Sequence, residues 1–121
     1  MSTEPRTVHV NVLVTKAIEI DEPDWCRGHA DDPGQHKVDI SHDGPEHVIA
    51  PGGYDMFRAF VSQAPYSSAD RTTALYIEAD IEPAAYTPDE VEEFAAHLTE
   101  AAEQLRALGR QLARILDGGS E

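Results

Sequence analysis

Hydrophobic and polar residues alternate along residues 7–15, which read T-V-H-V-N-V-L-V-T. Valines stand at every second position, whereas His9 and Asn11 fall between them. A period of two is typical of a half-buried strand, so we predict one there and extend it over residues 7–20 past a bulge at Lys16. Two similar stretches at 54–63 and 72–80, separated by turn-forming residues, predict an antiparallel β-meander over residues 48–80.

The last third of the chain has the periodicity of a long helix, which we predict over residues 87–116. Thr87 is the expected N-cap, Pro88 suits the first helical position, and Glu90 completes a capping box. Apolar residues then step alternately by three and four over four heptads. They are Val91, Phe94, Leu98, Ala101, Leu105, Leu108, Leu112 and Ile115. The sequence therefore predicts an α+β fold in which one long C-terminal α-helix packs on an antiparallel β-meander.

The length of this helix predicts self-association. Residues 88–116 would extend over about 43 Å, whereas a globule of this size is only about 35 Å across. The second half of the helix therefore needs a partner, and we expect a homodimer in which it contacts a second copy. The residues predicted to make this contact are Leu105, Leu108, Leu112 and Ile115. The alternative is a bend at Gly109 that folds the last turns back onto the body.

Composition limits the classes of partner. The 121 residues form one domain, residues 1–121, with a net charge of −14. Such a charge repels nucleic-acid backbones and anionic lipid, so we expect neither partner. No apolar run approaches the ~20 residues of a membrane span. A single cysteine and the lack of a signal-peptide pattern at the start predict a cytoplasmic protein.

Candidate chemistry is concentrated in an acidic loop that we predict over residues 21–47. Cys26 and His29 are separated by two residues and His42 follows thirteen residues later, a set that suits zinc. We assign His36 as a further candidate ligand, while His47, a nearby aspartate or water would also complete the site. The alternative is a metal-free loop in which Trp25 and Cys26 plug the edge of the core.

The segment from Pro23 to His29, P-D-W-C-R-G-H, and the later H-D-G-P-E from His42 to Glu46 resemble a family of small actinobacterial proteins. That family is a domain of unknown function, DUF6907, in which a Trp-Cys and His segment precedes a strand-rich middle and a closing Ala/Leu-rich helix. The resemblance extends over residues 22–108. It implies no activity, so it supplies no catalytic residues.

Three functions agree with these observations. We favour a non-enzymatic binding or regulatory protein that acts through protein–protein contacts, because no nucleophile elbow, phosphate-binding loop or paired-carboxylate motif is present. We therefore assign no catalytic residue and leave the protein partner unspecified. The first competitor is a small metal-dependent hydrolase in which Asp31 or Asp43 activates bound water. The second is an acidic mimic of nucleic acid that blocks a DNA-binding partner.

Overall fold

The computed structural model describes residues 4–118. It contains four strands, β1 (His42–Asp43), β2 (His47–Ile49), β3 (Phe57–Gln63) and β4 (Ala74–Ala79), and one helix, α1 (Pro88–Leu116). Short 3₁₀ turns lie at Lys37–Asp39 and Pro51–Gly53. The strands form one antiparallel sheet and the helix packs against it. The predicted α+β fold, a meander with a long C-terminal helix, is therefore confirmed.

β3 is the central strand of the sheet. β4 pairs with it from Phe57↔Ala79 to Ser62↔Ala74 and thus occupies one edge. β1 and β2 share the other edge, where Asp43 lies opposite Ser62 and His47 opposite Ala59. Residues 44–46 therefore face only two residues of β3, which is the geometry of a β-bulge.

The bulge has a clear origin in the sequence. Pro45 has no N–H to donate, so it cannot continue a regular ladder. The Gly44 N–H donates to the Val61 carbonyl at 2.7 Å and so holds the chain at the end of β1 against β3, just before the bulge. A side chain at Gly44 would meet the Trp25 carbonyl at 3.2 Å, so the loop that contains Trp25 lies directly against this bulge.

The core lies between the sheet and α1. Ile49, Met56 and Ala101 are almost fully buried, and Phe94, Leu105 and Leu108 pack against them from the helix. Leu105 and Leu108, which were predicted to contact a second copy, thus pack against the core of their own chain. Leu112 and Ile115 lie further along the helix and are half-buried.

The start of α1 follows from local chemistry. The Thr87 side chain accepts a hydrogen bond from the Glu90 N–H, and the Glu90 carboxylate accepts one from the Thr87 N–H. This capping box satisfies backbone donors that the first turn leaves free. The helix is continuous through Gly109, so the bend considered above does not occur.

The predicted strand over residues 7–20 is wrong. These residues form no strand, and no backbone hydrogen bond joins them to the rest of the described chain. Val8, Val10, Val12 and Val14 are 72–83% exposed. A segment with an alternating pattern forms a strand only where it can pair with a sheet edge. This segment lies outside the core that the sheet and the helix enclose. The predicted loop over 21–47 also needs correction, because it contains β1 and the first residue of β2.

No helix within residues 4–118 has the length and apolar character that crossing a membrane would require.

Candidate metal centre

A turn and one backbone contact bring Cys26 and His29 to the edge of the sheet. The Cys26 N–H donates to the Pro23 carbonyl at 3.1 Å, which closes a turn before the cysteine. The Arg27 N–H then donates to the Asp43 carbonyl at 2.9 Å. Because Asp43 follows His42 in β1, this bond places the cysteine beside the imidazole of His42.

The three side chains meet around a single point. The Nε2 atom of His29 lies 3.5 Å from the Sγ atom of Cys26 and 3.2 Å from the Nδ1 atom of His42. One donor atom from each residue lies within 4.8 Å of the other two. His42 is buried, and Cys26 and His29 are half-buried. This group could hold a metal ion.

A carboxylate orients His29. Its Nδ1 atom lies 2.9 Å from the Oδ2 atom of Asp32. A carboxylate can only accept a hydrogen bond at neutral pH, so Nδ1 carries the proton and the lone pair of Nε2 points toward Cys26 and His42. Carboxylates play this role for metal-bound histidines in general.

A fourth group stands beside the three. The Oε1 atom of Glu22 lies 3.9 Å from the Nε2 atom of His29. Glu22 was not predicted as a ligand from the sequence, because it belongs to a run of acidic residues of the kind that is usually solvated. The signal available in the sequence was Pro23, since the turn that starts there brings the residue before it back toward Cys26.

The surroundings of Cys26 and His42 favour the neutral forms of these two side chains. Burial raises the pKa of the Cys26 thiol, and the carboxylate of Glu22 adds to this effect. Burial also lowers the pKa of His42, with a further contribution from the neighbouring His29. A neutral imidazole is the form that binds metals, whereas the thiol must lose its proton to a bound cation.

Comparison with known proteins identifies the family. A family model described as "Domain of unknown function (DUF6907)" matches residues 4–114. The chain belongs to the DUF6907 family. No curated protein and no solved structure matches it. The DUF6907 match includes residues 7–20, the three clustered residues and Glu22.

The remaining candidates of the sequence analysis lie elsewhere in this DUF6907 chain. His36 is exposed at the start of a 3₁₀ turn and does not join the cluster among the described residues. His47 lies in β2 opposite Ala59. The carboxylate of Asp43 accepts hydrogen bonds from the hydroxyls of Ser41 and Ser62, so it is held away from a role as base.

Proposed function

We propose that this protein is a non-enzymatic, cytoplasmic binding protein whose acidic loop is held in shape by one zinc ion. The observation that carries the proposal is the distance of the His29 Nε2 atom from each of the other two donor atoms. Zinc bonds of about 2.0–2.1 Å to nitrogen and about 2.3 Å to sulfur, at tetrahedral angles, separate two nitrogens by about 3.3 Å and nitrogen from sulfur by about 3.6 Å. The corresponding distances here are 3.2 and 3.5 Å.

The donor set supports zinc over other common ions. Calcium and magnesium prefer oxygen ligands, whereas a thiolate with two imidazoles suits a softer cation of tetrahedral preference. The hydrogen bond between Asp32 and His29 supplies the outer partner that such sites use to fix the ligand's orientation. A single free cysteine also agrees with the reducing cytoplasm.

The ion would link the acidic loop to the sheet, and we call this link the zinc staple. Cys26 and His29 belong to a loop with no buried aliphatic residue, whereas His42 is anchored in the sheet by β3. Joining them would fix the loop on the sheet, because binding free energy of the metal becomes folding free energy. The ordered loop would present its carboxylates, including Asp21, Asp24 and Asp31, to a basic partner protein.

Glu22 is our candidate for the fourth ligand. Its carboxylate oxygen lies 3.9 Å from the Nε2 atom of His29. A small side-chain movement would bring this oxygen within bonding distance of an ion held by His29. Four protein ligands form a closed site, which is characteristic of structural zinc. A closed site supports a binding function because it leaves no coordination position for substrate.

Metal analysis of untagged protein tests the proposal. We expect about one zinc per chain, and chelation should make the loop at 27–41 sensitive to protease while the sheet stays intact. A zinc content below about a tenth per chain after growth with zinc, together with unchanged protease sensitivity, would remove the staple. A double variant, Cys26→Ser with His42→Ala, provides the metal-free reference.

A second candidate function has one observation in its favour. A pocket of about 390 Å³ has His42, Glu22 and Tyr66 among its lining residues. In a metal-dependent hydrolase this pocket would hold substrate, and Glu22 would activate a metal-bound water. The variant Glu22→Gln separates the two functions. It should weaken zinc binding if Glu22 is a ligand, but leave the affinity for zinc unchanged if Glu22 acts only as a base.

We also propose that the protein is a homodimer and that α1 takes part in the contact. Since Leu105 and Leu108 pack on their own core, Leu112 and Ile115 are the residues that remain for a partner. Leu112→Asp combined with Ile115→Asp should then yield monomers in light scattering. Gln111→Asp with Ala113→Asp, on exposed positions of the same turns, is the matched control. A wild-type monomer at micromolar concentration would contradict the dimer.

A further inference from the structure

The N-terminal segment at residues 7–14 has the sequence pattern of a strand, but no strand among the described residues pairs with it. Its valines are 72–83% exposed and Leu13 is 92% exposed. A contiguous exposed apolar surface of this kind marks an interaction site. The alternation of side chains, with Val10 and Val12 on one face and His9 and Asn11 on the other, indicates a sheet edge as the partner.

The sheet offers such an edge at β4. β3 occupies one side of β4, and no described strand pairs with its other side. Natural sheets protect open edges with lysine, proline or bulges. β4 reads A-L-Y-I-E-A and contains none of these. Its only charge, Glu78, lies opposite Arg58 within the sheet. On the face toward the helix, Ile77 remains 49% exposed.

No strand pairing or backbone hydrogen bond joins the segment to this edge among the described residues. It leads into the loop that hydrogen-bonds to Asp43 through Arg27, and Asp43 lies in β1 on the opposite side of β3 from β4. Thr15 confirms this course, because a side chain built at Gly34, within the same loop, would meet its methyl group at 2.9 Å. The segment thus joins a loop that is attached to the sheet on the side of β3 opposite to β4.

We propose that residues 7–14 of one copy add as a strand to the free edge of β4 in a second copy, so that two copies exchange their N-terminal segments. An exchange of this kind is symmetric and closes after two copies. With its valines on the helix-facing side, the added strand would cover Ile77 of the second copy. This exchange of strands does not require a bound zinc ion.

Charge also favours a second copy as the occupant. Two chains of net charge −14 repel each other, so contact between them requires surfaces free of acidic residues. Residues 7–15 contain no charged residue, and β4 contributes only the glutamate that faces Arg58. The two surfaces are therefore among the places where copies of this acidic chain can meet at little electrostatic cost.

Light scattering on the full chain tests the exchange. The wild-type protein should have twice the monomer mass, and Val10→Asp with Val12→Asp should weaken self-association at least about 100-fold, because it places two charges in the covered face. The matched control is His9→Asp with Asn11→Asp, which adds the same charge to the other face and should weaken self-association much less, because those side chains are not covered. All four positions are exposed within one copy, so each variant should fold.

Hydrogen exchange on the wild-type protein supplies a second readout. Amides of residues 7–14 should exchange slowly in the dimer and rapidly in the valine variant. A monomeric wild type, a valine variant that remains dimeric, equal loss of the dimer in both variants, or unprotected amides at 7–14 would each overturn the exchange. A dimer that is lost with Leu112→Asp and Ile115→Asp but not with the valine variant would support the helix contact alone.

Discussion

The Nε2 atom of His29 lies 3.2 Å from the Nδ1 atom of His42, although His42 comes thirteen residues later in the chain. The two rings meet edge-on at 71°, so each can direct a nitrogen lone pair toward the same point. The Sγ atom of Cys26 lies 3.5 Å from the first of these nitrogens. The cluster thus joins an irregular loop to the edge of the sheet, and its response to substitution can be predicted.

Loss of His42 should abolish tight metal binding. In His42→Ala we expect zinc affinity to fall at least about 100-fold, because the remaining ligands, Cys26, His29 and the candidate Glu22, all lie in one loop and the link to the sheet is lost. Competition with a chromophoric chelator measures this affinity. His36→Ala is the control, since His36 lies outside the cluster. Equal losses in both variants would show that the ion binds elsewhere.

Removing the carboxylate that orients His29 should have a smaller effect on the metal. For Asp32→Asn we expect zinc affinity to fall about 10–100-fold, which is the range for such outer partners. The neighbouring Asp31 has no hydrogen bond to His29, so Asp31→Asn should preserve affinity. The same chelator competition compares the two proteins. If Asp31→Asn were the weaker binder, the assignment of the outer partner would be wrong.

Two glycines should respond to alanine in opposite directions. Gly109 lies inside α1, and a methyl group there would meet nothing within 4 Å, so Gly109→Ala should stabilise the fold by about 1 kcal/mol. Gly52 has φ +64°, and a methyl group there would come within 2.6 Å of the His97 ring, so Gly52→Ala should destabilise it. Urea unfolding measures both changes. A loss of stability in Gly109→Ala would instead indicate that another chain packs closely at that position.

The helix cap should show a pH dependence. Hydrogen bonds from the backbone and side chain of Thr87 lower the pKa of Glu90 below its ordinary value of 4.5. A depressed folded-state pKa contributes stability that is present above the ordinary value and is lost as pH falls through the lower folded-state value. Wild type should therefore be more stable than Glu90→Gln at pH 7, and the difference should shrink in acid.

The measurement for this cap is urea unfolding of both proteins at neutral and acidic pH, in the presence of chelator so that metal release affects neither. The comparison between two proteins removes the contribution of every other carboxylate. A difference in stability that stays constant from neutral pH into acid would show that the charge of Glu90 does not contribute to the cap.

Several features were readable from the sequence because they depend on neighbours along the chain. The start of α1 needs only Thr87, Pro88 and Glu90, whose hydrogen bonds close within one turn. The helix follows from its apolar period, and the strands at β3 and β4 follow from alternation. Cys26 and His29 could be paired as candidate ligands for the same reason, since a two-residue gap brings them together in any tight turn.

The tertiary structure decided which distant groups meet. His42 reaches the loop because β1 pairs with β3 and because the Arg27 N–H bonds to Asp43, whereas His36, closer in sequence, lies outside. Glu22 enters the cluster through the turn at Pro23. The segment at 7–14 has the pattern of a strand but pairs with none of the strands that the structure describes. Local hydrogen bonds and periodicity are properties of a short stretch of sequence, but a ligand set or a strand pairing also requires the position of a second stretch, which only packing supplies.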